Sequence, residues 1–236
     1  MAVKQTCPAR QCASIEKKCW ALTQQLAVAA QTDGAWLPPA DWLHLASAVK
    51  SMECDTARFD EAVMFCGTAL DFEDASSSLL NEFMPEAMRL ILIWNAIERL
   101  ANVHKGEFDS PINNLCAGLN RGTKYLPGFG QVTLVAELEK RLSSLPWFTL
   151  QKKPYDTLGS AARGVRLVQD LRNELAHGSL RIPAPDAWAN GAQISPTCVR
   201  VACAVALDAV QLYLDLFGAD GVLDARARSA FSATQK

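Results

Sequence analysis

The stretch DLRNELAHG, residues 170–178, places a guanidinium at Arg172, a carboxamide at Asn173 and an imidazole at His177 on an otherwise apolar helical segment. Together these groups could do proton-transfer and charge-stabilising chemistry. An imidazole with an ordinary pKa of about 6.5 can take or give a proton near neutrality. A guanidinium stays charged and offers a fixed fork of donors to an anion. The competing reading is a plain helix end, where a histidine in the last turn faces open carbonyls and Gly178 caps the chain.

The element carrying these residues decides which way they face. Ala161, Val165, Val168, Leu171 and Leu175 recur at helical spacing, so Gly159 to His177 reads as a helix with one apolar stripe. At about 100° per residue Arg172 falls at the edge of that stripe. Asn173 and His177, four residues apart, share a face that points away from it, so His177 is expected to meet solvent or a partner. Arg172 and His177 are about 140° apart, a poor arrangement for gripping one group from a single helix.

Other helices are expected over about residues 12–32, from Pro38 through Val49, over about 56–70, from 76 to about 104, from Val132 to Leu145 and from Thr197 to Phe217. The polar run DFEDASSS, residues 71–78, reads as a break with serines suited to capping the longest helix. Residues 105–131 are rich in Gly, Asn and Pro and read as a long loop with one helical turn near Asn113 to Leu119. No segment alternates with period two, so the fold class is all-α, a helical bundle with additional N-terminal helices.

Composition narrows the function classes. Half of the 236 residues are hydrophobic, and 25 acids nearly balance 23 Lys and Arg for a formal charge of −2, so no global basic field attracts nucleic acid. The start, MAVKQTCPARQC, has no apolar run or cleavage site of a secretory signal, and the apolar runs Met88 to Ile97 and Val201 to Phe217 are broken by Arg89, Asp208 and Asp215. A cytoplasmic protein without a membrane partner is expected. The eight cysteines read mainly as small core hydrophobes. Cys7, Cys12 and Cys19 lack a CxxC pair or a nearby His, so no metal site is assigned and no cofactor is expected. His44, between Trp42 and Leu45, reads as partly buried, and His104 as an exposed helix end.

LRNELAHG resembles the Arg-Asn-x-x-x-His signature of the HEPN superfamily, small helical bundles of prokaryotic toxins, phage defence and RNA processing. IWNAIERLANVH, residues 93–104, is similar to the alanine-x-glutamate-x-leucine stretch of the first long helix in Apea-like HEPN domains. The resemblance covers about residues 76–218, which leaves 1–75 as an N-terminal helical extension and 219–236 as a C-terminal tail. It implies a HEPN-type up-and-down bundle and a homodimer whose two motif helices line one cleft. It also implies a metal-independent endoribonuclease acting on RNA such as tRNA or mRNA, with Arg172, Asn173 and His177 as catalytic residues and Glu98 in support.

The chemistry is consistent with what the resemblance implies. RNA carries its own 2′-hydroxyl nucleophile, so His177 would move protons, Arg172 would stabilise the phosphorane, Asn173 would orient His177 or bind a phosphate oxygen, and Glu98 would hold Arg172. A two-fold dimer would let the Arg of one subunit approach the His of the other. Lys152, Lys153 and Arg163, with Tyr155, could guide RNA to the cleft, as could Asn120, Arg121 and Lys124 with Tyr125. A regulatory or antitoxin partner is also implied, although Ser179 stands where some HEPN toxins carry a modifiable tyrosine. Two rival readings stay open: a non-catalytic dimerisation or binding module for RNA, nucleotide or protein, and a mononucleotide-binding bundle.

Overall fold

A computed structural model describes residues 14–57, 66–103, 108–122, 131–146, 148, 158–177, 183–186 and 192–217. Over these residues the chain is all-α: α1 (Ile15–Ala30), α2 (Leu37–Ala48), α3 (Gly67–Val103), α4 (Pro111–Gly122), α5 (Gln131–Ser143), α6 (Ser160–Ala176) and α7 (Pro196–Phe217). A short 3₁₀ turn, Gly34–Trp36, joins α1 to α2. α3 and α7 pack together at the centre. The α1–α2 hairpin lies against this pair, α1 on α7 and α2 on α3, while α4 and α6 touch both central helices and α5 packs on α6 and α7.

Local chemistry sets the helix ends. Ser14 caps α1 by accepting from the Lys17 N–H at 3.0 Å, and the Asp33 carboxylate accepts from the Ala35 N–H at 2.9 Å to start the 3₁₀ turn. Ile15, Cys19, Leu22 and Leu26 are buried, as the spacing predicts. They join one hydrophobic core with residues of every later helix. An ion pair from Lys18 to Asp208 adds a polar tie between α1 and α7.

Two expectations about breaks fail. DFEDASSS is not a break, because α3 runs unbroken from Gly67 through residues 71–78, and residue 75, the expected end of the extension, lies inside it. One of the serines, Ser77, binds a neighbouring segment rather than starting a helix, and Ser76 is buried. Ser77 Oγ accepts from the Thr56 N–H at 3.1 Å, Thr56 Oγ1 donates to the Glu73 carbonyl at 3.1 Å, and Asn81 Oδ1 accepts from the Cys54 N–H at 2.6 Å. Residues 50–57 are not helical, and of the helix expected over 56–70 the stretch 58–65 lies outside the described residues while 67–70 form the first turn of α3.

The long loop is likewise interrupted by a helix of twelve residues, α4. Pro111 at its first position suits a helix start, where a missing N–H costs nothing. Asn114 fixes the approach by exchanging two 2.8 Å bonds with the backbone N–H and carbonyl of Phe108. Asn114, part of the composition that suggested a loop, is here used for pinning.

α7 is the one described helix long and apolar enough to cross a membrane, and it is mostly buried inside the bundle. Residues 218–236, including the expected tail, lie outside the described residues.

Candidate functional site

The buried side of α6 fixes where its polar side points. Ala161, Ala162, Val165, Val168 and Leu171 lie in the core, so the helix cannot turn about its axis without exposing them. Gly164 sharpens the fit. A Cβ built there would lie 2.7 Å from Val205 Cγ1 of α7 and 2.9 Å from Val135 Cγ2 of α5. Only glycine lets the three helices approach so closely without a shift.

Arg172 emerges at the edge of this core toward α3. Its Nη2 lies 3.8 Å from Glu98 Oε1, and its Nη1 donates to Asn173 Oδ1 at 3.2 Å. The same Glu98 oxygen accepts from the Trp94 indole N–H at 2.6 Å. Trp94 sits one turn before Glu98 on α3 and is almost wholly buried. A rigid indole thus holds a carboxylate, and the carboxylate faces the guanidinium. Spacing of i and i+4 on a helix is the signal that could have found Trp94 beforehand.

The Arg172–Glu98 pair is open. The two side chains are 26% and 43% exposed, and at 3.8 Å their contact is longer than a hydrogen bond. Water screens such a pair, so it contributes at most about 1 kcal/mol.

His177 ends α6 with an exposed side chain, as its position off the stripe requires. Its backbone N–H donates to the Asn173 carbonyl at 2.9 Å. Asn173 therefore serves both neighbours, its carboxamide oxygen for Arg172 and its main-chain oxygen for His177. Among the described residues no hydrogen bond or ion pair joins the Arg172 and His177 side chains. The structure brings Arg172, Asn173 and Glu98 together and leaves His177 facing outward at the helix end. Gly178, the expected cap, lies outside the described residues, and so do Ser179 and His104.

Of the weaker candidates, Arg163 stands apart from this group. Arg163 makes an ion pair with Glu139 of α5. Nine residues before Arg172, it faces the opposite side of α6. Lys152, Lys153, Tyr155, Lys124 and Tyr125 lie outside the described residues, and Asn120 accepts from the Gly159 N–H at 2.6 Å to hold the start of α6. His44 is a correction: it is exposed rather than partly buried, with its ring 5.5 Å from that of Trp20. The neighbours in sequence that marked it as core, Trp42 and Leu45, are themselves half-buried and exposed.

A second polar cluster went unread in the sequence. Arg89, 2% exposed, donates from Nη1 to Glu86 Oε2 at 2.6 Å and from Nη2 to the Val49 carbonyl at 2.6 Å, and Nη2 lies 2.8 Å from Glu16 Oε1. Arg200 grips the other oxygen of Glu86 through Nε at 2.9 Å and Nη2 at 2.6 Å. Its only trace in the sequence was a charge interrupting an apolar run.

Four cysteines, Cys19, Cys116, Cys198 and Cys203, are buried, while Cys54 is half-buried and Cys66 exposed. Burial pushes the Cys19 and Cys198 thiols up to about 12 and Cys116 to about 11, and it raises Cys203 well above an ordinary thiol, with the Glu86 carboxylate adding to the effect. Thiolate chemistry is thereby suppressed at these positions. No group of three or more His, Cys, Asp or Glu suited to a metal ion occurs among the described residues. Cys7 and Cys12 lie outside them.

No family model, no curated protein and no solved structure matches this chain.

Proposed function

We propose that the protein is a HEPN-type endoribonuclease that cuts RNA without needing a metal, at a cleft formed by two copies of α6, and that it serves as a toxin or anti-phage effector in the cytoplasm. The observation that carries this reading is the division of labour around Asn173: a guanidinium steadied from the bundle side by Glu98, and an exposed imidazole at the end of the same helix. A residue needed only for packing has no use for an outward imidazole.

In this mechanism His177 takes the proton from the 2′-hydroxyl as its oxygen attacks the adjacent phosphorus. The 5′-oxygen then leaves with a proton returned by the protonated imidazole, giving a 2′,3′-cyclic phosphate and a 5′-hydroxyl end. Arg172 stabilises the charge gathered on the phosphorane oxygens, with its fork already oriented before substrate arrives. Because the two side chains diverge along one helix, the Arg of one subunit serves the His of its partner. Glu98 and Trp94 act through Arg172 as positioning residues.

The test is RNA cleavage in EDTA by wild type, His177→Ala and Arg172→Ala, with the new ends analysed. Removal of the general acid–base group should lower the rate by about 10²- to 10⁴-fold. Equal cleavage by wild type and His177→Ala would refute the assignment. A second reading, a non-catalytic binding module, is favoured by the Trp94–Glu98–Arg172 contacts, which would equally serve packing. It is distinguished by RNA or nucleotide binding that survives with no cleavage by any form.

A further inference from the structure

The outer face of the α1–α2 hairpin is unlike the rest of the described surface. Seven large hydrophobic side chains are exposed among the described residues, and four of them, Trp20, Val28, Leu37 and Leu45, stand on this one hairpin at 50–56% exposure. Trp20 and Val28 lie eight residues apart on α1, as do Leu37 and Leu45 on α2, so each pair marks one helical stripe. The tilted Trp20–His44 ring pair, centroids 5.5 Å apart, bridges the two stripes. The buried sides of both helices are already occupied by the core.

We infer that this face is a self-association surface on which a second copy of the chain seats its own α1–α2 hairpin, completing a four-helix bundle across a two-fold axis. Charge points to a copy of itself. Within the two helices the charges open to solvent are one base, Lys17, and two acids, Asp41 and Glu16, the last already paired with Arg89, so two identical faces meet with little net charge. A membrane-surface helix or a nucleic-acid site would need a basic rim, which among the described residues Lys17 and, just past α2, Lys50 do not supply.

Area agrees with a weak dimer. Four half-exposed large side chains, His44 and the alanines between them offer roughly 500 Å² per copy, or about 1,000 Å² for the pair, at the lower edge of specific association. The surface is separate from α6 and stands whether or not the ribonuclease reading holds. With an α6 contact also formed, the chain would carry two independent two-fold contacts and could close as a tetramer.

The test is the molar mass of the full chain by sedimentation equilibrium from about 1 to 100 µM, a range bracketing the weak affinity expected of so small an interface. Wild type is compared with Trp20→Lys, Leu45→Lys and the double variant, with helicity checked by circular dichroism. These side chains are half exposed, so the monomer fold should tolerate the changes. Each single variant should weaken association by roughly 100-fold, because two like charges then oppose each other across the axis. The double variant should sediment at half the mass of wild type. Equal masses for wild type and both folded single variants would overturn the proposal, as would a wild type that stays monomeric and associates only with a different protein.

Discussion

Two arginine–glutamate contacts set the ends of this molecule's electrostatic range. At Arg89 the guanidinium is sealed, with Glu86 at 2.6 Å, Glu16 at 2.8 Å and a backbone carbonyl at 2.6 Å. At Arg172, among the described residues, a single carboxylate stands 3.8 Å away and only one hydrogen bond, to Asn173, is made. The first guanidinium has both Nη groups engaged inside the protein, with its Nε buried and unpartnered, whereas the second, 26% exposed, has only Nη1 in a hydrogen bond and presents the Nη end of its fork to the outside. A sealed pair is a structural tie between helices. An open pair held on one side is what a binding or catalytic arginine requires.

The largest expected effect breaks the sealed side. Arg89→Ala removes a buried cation that ties α3 to Glu16 of α1 and to Val49 after α2, and should cost about 3–5 kcal/mol of unfolding free energy in urea titrations. Arg172→Ala, by contrast, should cost at most about 1 kcal/mol, because its pair is screened. If the two variants lose equal stability, the distinction between tie and site is wrong.

Next in size is Gly164, which sets how closely α6 approaches α5 and α7. Alanine there should destabilise by about 1–3 kcal/mol through overpacking, offset in part by alanine's better helix propensity. Its Cβ would otherwise sit under 3 Å from Val205 and Val135. A stabilised Gly164→Ala variant in thermal melts would show that the three helices are not held at that distance. The same substitution should displace Arg172 relative to Glu98, so a loss of any RNA cleavage beyond the loss of folded protein would tie packing to the site.

The buried thiols beside the sealed cluster give a pH signature. Cys203 donates to the Glu86 carbonyl at 3.8 Å, and burial raises it well above an ordinary thiol, with Cys19 raised to about 12. Unfolded thiols lose their protons near pH 9 while these retain theirs. The unfolded state then binds fewer protons, so stability is fully present below about pH 9 and falls as pH rises toward the folded values, by about 1.4 kcal/mol per pH unit per thiol. Cys203→Ala should flatten the alkaline limb by that amount in denaturation curves from pH 8 to 11, and an unchanged slope would refute it. In native protein, a thiol reagent should modify exposed Cys66 and reach Cys203 only on unfolding.

Periodicity made most of this architecture legible, because burial of a stripe is a local property of one helix. The stripe through Val165, Val168 and Leu171 located α6 and correctly turned His177 to solvent. What could not be read depends on partners distant in sequence. Ser77 looked like a cap because serine favours that position, yet its bond goes to Thr56. Arg89 looked like an interruption because Glu16, Val49 and Arg200 are 73, 40 and 111 residues away from it in the chain. Trp94 was placed on the right helix and left out of the site, since an apolar stripe does not show where an indole N–H will find its acceptor.

The smallest effect on stability is the sharpest probe of the open pair. Glu98→Gln keeps the shape of the side chain and an oxygen able to accept from the Trp94 indole, but it removes the charge facing Arg172. Stability should change by less than about 1 kcal/mol. If Glu98 serves only packing, RNA cleavage should also be unchanged. If it positions Arg172 for a phosphate, the loss should fall on the rate constant for cleavage rather than on RNA affinity, because a neutral neighbour leaves the guanidinium its charge but not its fixed direction. A fall in affinity at constant rate would place Arg172 in binding alone and return the site to the binding-module reading.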